Sequence, residues 1–132
     1  MASALYTSGQ SGIGDGTIDL TGDVRVMLAQ SEYVYNTTDQ FVSDLGAVDN
    51  GRTAALDNPT YVAGLFDADD TMLTAISTVS CGSLILFQHT GADATARLIG
   101  YIDVANGLPV IPASGQVVNI AWDNGAHRIF EL

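Results

Sequence analysis

The sequence predicts an all-β protein: a single antiparallel β-sandwich, jelly-roll-like, of about eight short strands with one short helix and an extended N-terminal arm. Three observations point there. From Thr17 onward, short apolar or β-branched runs recur between clusters of Asp, Asn, Gly and Pro, a spacing that suits strands and turns. Within Gln116 to Asp123, Val118, Ile120 and Trp122 alternate with Val117, Asn119, Ala121 and Asp123, so one face meets a core and the other meets water or a neighbour. Asn124-Gly125 stands between two β-prone runs in Trp122 to His127, and that pair tolerates the positive φ angles of a two-residue hairpin turn.

Taken in chain order, residues 1–16 read as a flexible arm and residues 17–132 as the β-sandwich domain. The arm carries Gly9, Gly12, Gly14 and Gly16 among Ser and Thr, a composition that loses much entropy on ordering and offers little to bury. Leu5 and Tyr6 are its large apolar side chains, placed to dock on a neighbouring subunit, with a disordered tail as the alternative. Ile18 and Leu20, then Val24, Val26 and Leu28 alternating with Arg25 and Met27, predict two strands or one bent strand. Thr37-Thr38-Asp39-Gln40 has the form of a capping box, Phe41, Val42 and Leu45 share a face, and Gly46 can stop the turn; together they predict a helix over residues 38–45. Arg52 to Leu56, Thr60 to Leu65, Thr71 to Ile76, Gly82 to His89 and Ala96 to Asp103 are further strand candidates. Asn106-Gly107 follows the last of them, and Pro109 and Pro112 make Leu108 to Pro112 an edge or a loop.

The charge balance narrows the partners. Arg25, Arg52, Arg97 and Arg128 are the only basic side chains against 15 acidic ones, a net charge of −11, and no lysine occurs. Phosphate neutralisation needs Lys or Arg, so nucleic acid is not an expected partner. No stretch approaches the roughly 20 apolar residues of a membrane span, and the first 16 residues lack the basic and apolar parts of a secretory signal. So acidic a surface predicts more stability in concentrated NaCl than in dilute buffer, as suits a saline setting; equal melting temperatures in the two would remove that reading.

Few motifs carry chemistry. Asp67, Asp69 and Asp70 cluster in Phe66 to Asp70; the pattern reads as a polar turn, with a weak oxygen-ligand site for calcium as the alternative, and it lacks the glycine and distal Glu of an EF-hand loop. Cys81 is the single cysteine, so no internal disulfide forms, and it reads as a small half-buried side chain. Gly12 to Gly16 neither follows a strand nor opens a helix, as a dinucleotide fingerprint must. His89 and His127 come with no nucleophile elbow and no metal-protease motif, so neither a catalytic residue nor a cofactor is expected.

The runs Thr95 to Asp103, Asn106 to Val110 and Ala121 to Phe130 resemble a family of small virion proteins of tailed bacteriophages. Ala4-Leu5-Tyr6, Phe41 to Asp44 and Phe66 to Asp70 match it in the same order, while Thr7 to Gly16 and the lack of lysine depart from it. The resemblance implies a capsid decoration, or cement, protein on the outer surface of the head, binding the major capsid protein and copies of itself, with a homotrimer as the expected unit. Self-repulsion argues for the outside, since −11 per copy would be repelled by packed DNA. The alternative is a neck-, tail- or fibre-associated module that recognises a host surface glycan.

Overall fold

A computed structural model describes residues 3–103, 107–122 and 129–131. The chain is all-β, with antiparallel sheets and one short α-helix. Among the described residues the elements run β1 (Ser3–Leu5), α1 (Thr7–Asp15), β2 (Val24–Gln30), a 3-10 turn (Val42–Leu45), β3 (Asp49–Arg52), β4 (Thr60–Val62), β5 (Leu65–Asp67), β6 (Thr71–Thr74), β7 (Cys81–Gln88), β8 (Leu98–Ile102), β9 (Val117–Ile120) and β10 (Phe130–Glu131). They form a five-stranded sheet in the order β1-β8-β7-β2-β3, a three-stranded sheet β10-β5-β4 and a two-stranded sheet β6-β9. The isolated bridge Thr53–Leu73 links the β3 end to β6. The hairpin expected at Trp122 to His127 and the turn at Asn106 fall on residues outside those described.

The five-stranded sheet organises everything else, because both of its faces are apolar. In β2, Val24, Val26 and Leu28 point to one face, while Met27 and Ala29 point to the other; in β7, Leu84 and Leu86 oppose Ile85 and Phe87 in the same way. The register agrees: Leu28 pairs with Leu84, Val26 with Leu86 and Met27 with Ile85, so like faces meet. Where the sequence pattern predicted two facing layers with one inner face each, this sheet is covered twice. That explains the nearly continuous apolar runs Val26 to Ala29 and Leu84 to Phe87, since a strand buried on both sides cannot alternate. One face is covered by Leu56, Phe66, Leu73, Ile120 and Trp122, contributed by the two smaller sheets and the segments around them. The other is covered by Tyr6, Val42, Leu45 and Val48, with Tyr33 and Tyr35 at its margin.

The N-terminal segment corrects the sequence reading. Instead of a flexible arm, Ser3–Leu5 pairs with β8 and Thr7–Asp15 forms a helix that packs on β8. The glycines that read as looseness are there for proximity. A Cβ on Gly9 would lie 2.7 Å from the Leu98 carbonyl oxygen, and one on Gly12 would lie 2.7 Å from Ile18 Cδ1. Glycines at i and i+3 give α1 a face without side chains, and the backbone of β8 lies against it. Arg97 Nη2 donates to the Ser8 carbonyl at 3.1 Å, and Gly16, at φ 84°, ends the helix in the left-handed region.

Two other expectations yield to the same kind of local chemistry. Ile18 and Leu20 are buried but not in a strand: Asp15 accepts from the amide and hydroxyl of Thr17, and Asp19 does so from Thr21, so two Asx turns bend the chain there. The capping box at Thr37 does not form either. Asn36 takes the amide of Thr38 into a third such turn, and Thr37 Oγ1 bonds Thr7 Oγ1 at 2.9 Å. The helical piece shrinks to Val42–Leu45, held by Asp44 Oδ2, which accepts from the amides of Gln40 and Phe41 at 3.0 Å.

The expected strand Thr60 to Leu65 is a hairpin: Ala63 at φ 53° and Gly64 at φ 81° turn β4 into β5. Glycine suits the second position, but alanine at the first is strained by about 1 kcal/mol. Ala63→Gly is therefore expected to raise the melting temperature by about 4 °C; a scanning calorimetry trace that shows a lower one would contradict this turn.

Candidate functional site

The residues marked out by sequence as candidates separate into structural parts and surface. Tyr6 is fully buried in the chain's own core, its ring 5.1 Å from that of Tyr35. Its hydroxyl lies 2.8 Å from that of Tyr33, which in turn donates to Asp39 Oδ2 at 3.0 Å, so Tyr6 is the donor to Tyr33. Burial drives the Tyr6 phenol well above its ordinary range and pushes Tyr33 up to about 12, which leaves this chain of hydroxyls neutral across the physiological range. Leu5 is half-buried, its backbone paired with Gly100 and its carbonyl accepting from the Tyr35 hydroxyl. The expected contact of Tyr6 with a neighbouring subunit is thus corrected: a ring with no exposed surface cannot also reach a partner.

Asp67, Asp69 and Asp70 do lie together, in a shallow polar recess with Asn58 and Thr60. Two of the three carboxylates already serve the fold. Asp70 Oδ1 accepts from the Trp122 amide at 2.9 Å, and Asp69 Oδ2 accepts from Asn58 Nδ2 at 2.7 Å. The Asp69 carbonyl takes the Trp122 indole proton at 3.1 Å. These bonds tie the start of β6 to the end of β9, which favours the polar-turn reading over the ion site. Among the described residues no group of three or more His, Cys, Asp and Glu is arranged to hold a metal ion.

Cys81 is buried, and its sulfur accepts from Asn50 Nδ2 at 3.2 Å. Asn50, fully buried, also donates to the Ser77 carbonyl and accepts from the Ser77 amide and hydroxyl. Burial pushes the thiol up, away from the reactive thiolate. His89 is half-buried, its amide bonded to the Asp23 carbonyl, and His127 lies outside the described residues. Gly12 belongs to α1 and packs on Ile18, so Gly12 to Gly16 cradles nothing.

The arginines are also committed to the fold. Arg25 pairs with Asp23 at 2.9 Å; Arg52 pairs with Asp49 at 2.7 Å and grips Asp93 with both terminal nitrogens at 2.9 Å, its guanidinium 5.2 Å over the Phe87 ring. Arg97 sits 5.7 Å over Phe41. Arg25 and Arg52 lie with the Tyr6 side of the sheet, while Arg97 reaches the Ser8 carbonyl of α1. On the opposite side, residues 53–79 and 107–122 contain Asp57, Asp67, Asp69 and Asp70 and no Lys, Arg or His.

That side also holds most of the exposed apolar surface. Met72 and Ile76 are 60% exposed, Ile111 67%, Val117 50% and Val62 71%. Sequence alternation in β9 foreshadowed Val117; nothing local marked the others, because Met72 and Ile76 read as strand residues without a face until the pairing was known.

The carboxylates predict an acid response. Asp15 is held below the usual aspartate range by the Thr17 hydroxyl and amide, Asp19 by those of Thr21, Asp44 by the amides of Gln40 and Phe41, Asp23 by Arg25 and Asp93 by Arg52. A depressed folded-state value means the unfolded chain binds protons first. The stabilisation is therefore complete above about pH 4 and is lost as pH falls through the folded-state values. Relief of charge repulsion on acidification runs the other way. The melting temperature is expected to fall steadily from pH 5 to pH 3; a rise across that window would show that self-repulsion dominates.

No family model matches the chain, and no curated protein matches it.

Proposed function

We propose that the chain is a structural virion protein of a tailed bacteriophage, a capsid decoration or cement protein that binds the outer surface of the head and reinforces contacts between major capsid proteins. One observation supports the reading beyond the sequence resemblance: Arg25, Arg52, Asn50 and Cys81 are committed to the fold, while Met72, Ile76, Ile111 and Val117 stand exposed on one side. Exposed apolar side chains that share one side mark a surface for contact with another macromolecule. Each 100 Å² of apolar surface covered there would contribute about 2.5 kcal/mol before the costs of association. A sheet covered on both faces is a stiff base for such a contact, and a net charge of −11 suits the exterior of a DNA-filled shell.

The polar recess beside exposed Tyr61 favours the second reading, a neck-, tail- or fibre-associated module for a host surface glycan. Copy number separates the two. Purified particles of the encoding virus are expected to show the 13.8 kDa chain as an abundant band that dissociates together with a loss of particle heat resistance. A trace band would favour the tail module, and absence from the particles would overturn both.

A further inference from the structure

Resting on the reading of the chain as a contact protein, we infer that the outward face of the β6–β9 ladder docks on a partner protein surface with an apolar centre and a lysine-bearing rim, not on a second copy of this chain. The register sets the face. Met72 pairs with Asn119 and Thr74 with Val117, so these four side chains share one side of the ladder, while Leu73, Val118 and Ile120 turn inward. Ile76 continues the outward row beyond β6. Ser114 Oγ donates to the Ile76 carbonyl at 3.0 Å, which brings the segment that carries Ile111 beside it. The result is an apolar strip along one ladder with Thr74 and Asn119 set into it.

Charge selects the occupant. Asp69 and Asp70 stand at the end of the strip, fixed there by the bond from the Trp122 amide to Asp70, and Asp57 adjoins them through its carbonyl, which accepts from the Asp69 amide at 3.0 Å. No cation lies on residues 53–79 or 107–122 to offset them. Two copies joined face to face with these ends together would set like charges opposite one another, a repulsion that disfavours that pairing. The same surface set against a basic rim gains complementarity, which also makes the contact weaken as salt rises.

The absence of lysine makes the test clean. A carbodiimide joins a carboxylate to an amine without a spacer, and since no side chain of this sequence offers an amine, every linkage to a lysine reports a different protein. Intact particles would be treated and the linkages mapped by mass spectrometry. Linkages gathered on Asp57, Asp69 and Asp70 are expected. Linkages gathered instead on Asp15, Asp19, Asp44 or Asp93, or no lysine linkage at all, would overturn the assignment. Particles that yield no peptides of the chain would remove the virion reading itself, a result distinct from a chain that is present but linked elsewhere. Sedimentation of the isolated chain gives an independent check: a single-chain mass, or an oligomer left intact by Met72→Glu, agrees with the inference, whereas an oligomer that Met72→Glu dissociates would overturn it.

Discussion

Tyr6→Ala is expected to destabilise the protein by about 4 kcal/mol, the range for truncating a fully buried aromatic side chain. The cavity would open where β1, β8 and the Tyr33–Tyr35 segment meet, because the Tyr6 ring lies 5.1 Å from that of Tyr35 and the Tyr6 amide donates to the Ile99 carbonyl at 3.1 Å. The Tyr33 hydroxyl would lose a donor in the same change. Tyr6→Phe isolates that bond and should cost about 1 kcal/mol. Chemical denaturation of both variants measures the two figures. Had residues 1–16 been a loose arm, both substitutions would leave the midpoint where it was.

Gly51→Ala is the second large effect, expected at about 3 kcal/mol, or a fall of about 10 °C in melting temperature. Gly51 sits in β3 at φ 128°, a conformation that L side chains rarely adopt, and a Cβ there would lie 2.5 Å from the Thr74 carbonyl oxygen. The nearest atom is backbone, so a shift of the Leu73 side chain, 3.0 Å away, would not relieve the clash. The strain would pass to β6 and on to β9, the ladder assigned to docking. Gly14→Ala is the control: it lies in α1 with nothing within 4 Å of the added methyl, and it should stabilise by up to about 1 kcal/mol. Circular dichroism melts of the pair decide the matter, and equal melting temperatures would contradict the close approach of β3 to β6.

These two residues show what the sequence made legible and what it hid. The alternation of Val24, Val26 and Leu28 and that of Val118, Ile120 and Trp122 were readable because period-2 burial is a local pattern. The second covered face of the central sheet was not, since Met27, Ile85 and Phe87 reveal their side only once β2 and β7 are paired. Glycine was the most misleading letter. In Gly9 and Gly12 it looked like entropy, yet it permits close packing against β8 and Ile18, and that use depends on a strand some 90 positions away in the chain. The Asp-x-Thr and Asn-x-Thr runs at Asp15, Asp19 and Asn36 were available signals: each places a short acceptor two residues before a hydroxyl and an amide, and each became a turn.

The candidate site followed the same division. Asp67, Asp69 and Asp70 were found at once because carboxylates stand out in a sequence, but their use, tying Trp122 to the start of β6, depended on a distant partner. The apolar strip on β6 and β9 had no chemical signature of its own. Its exposure became visible only when the two strands were set in register, and its charge setting only when Arg25 and Arg52 proved to lie with the other face.

Imaging of intact particles by electron cryomicroscopy tests the central claim most directly, since it reads the position of the chain and the face it presents in one map. The account expects this domain on the outer surface of the head, with the strip of Met72, Ile76, Ile111 and Val117 against the coat protein and α1 turned away from it. The domain at the neck or tail, inside the shell, or mounted with the β6–β9 ladder facing solvent would contradict it.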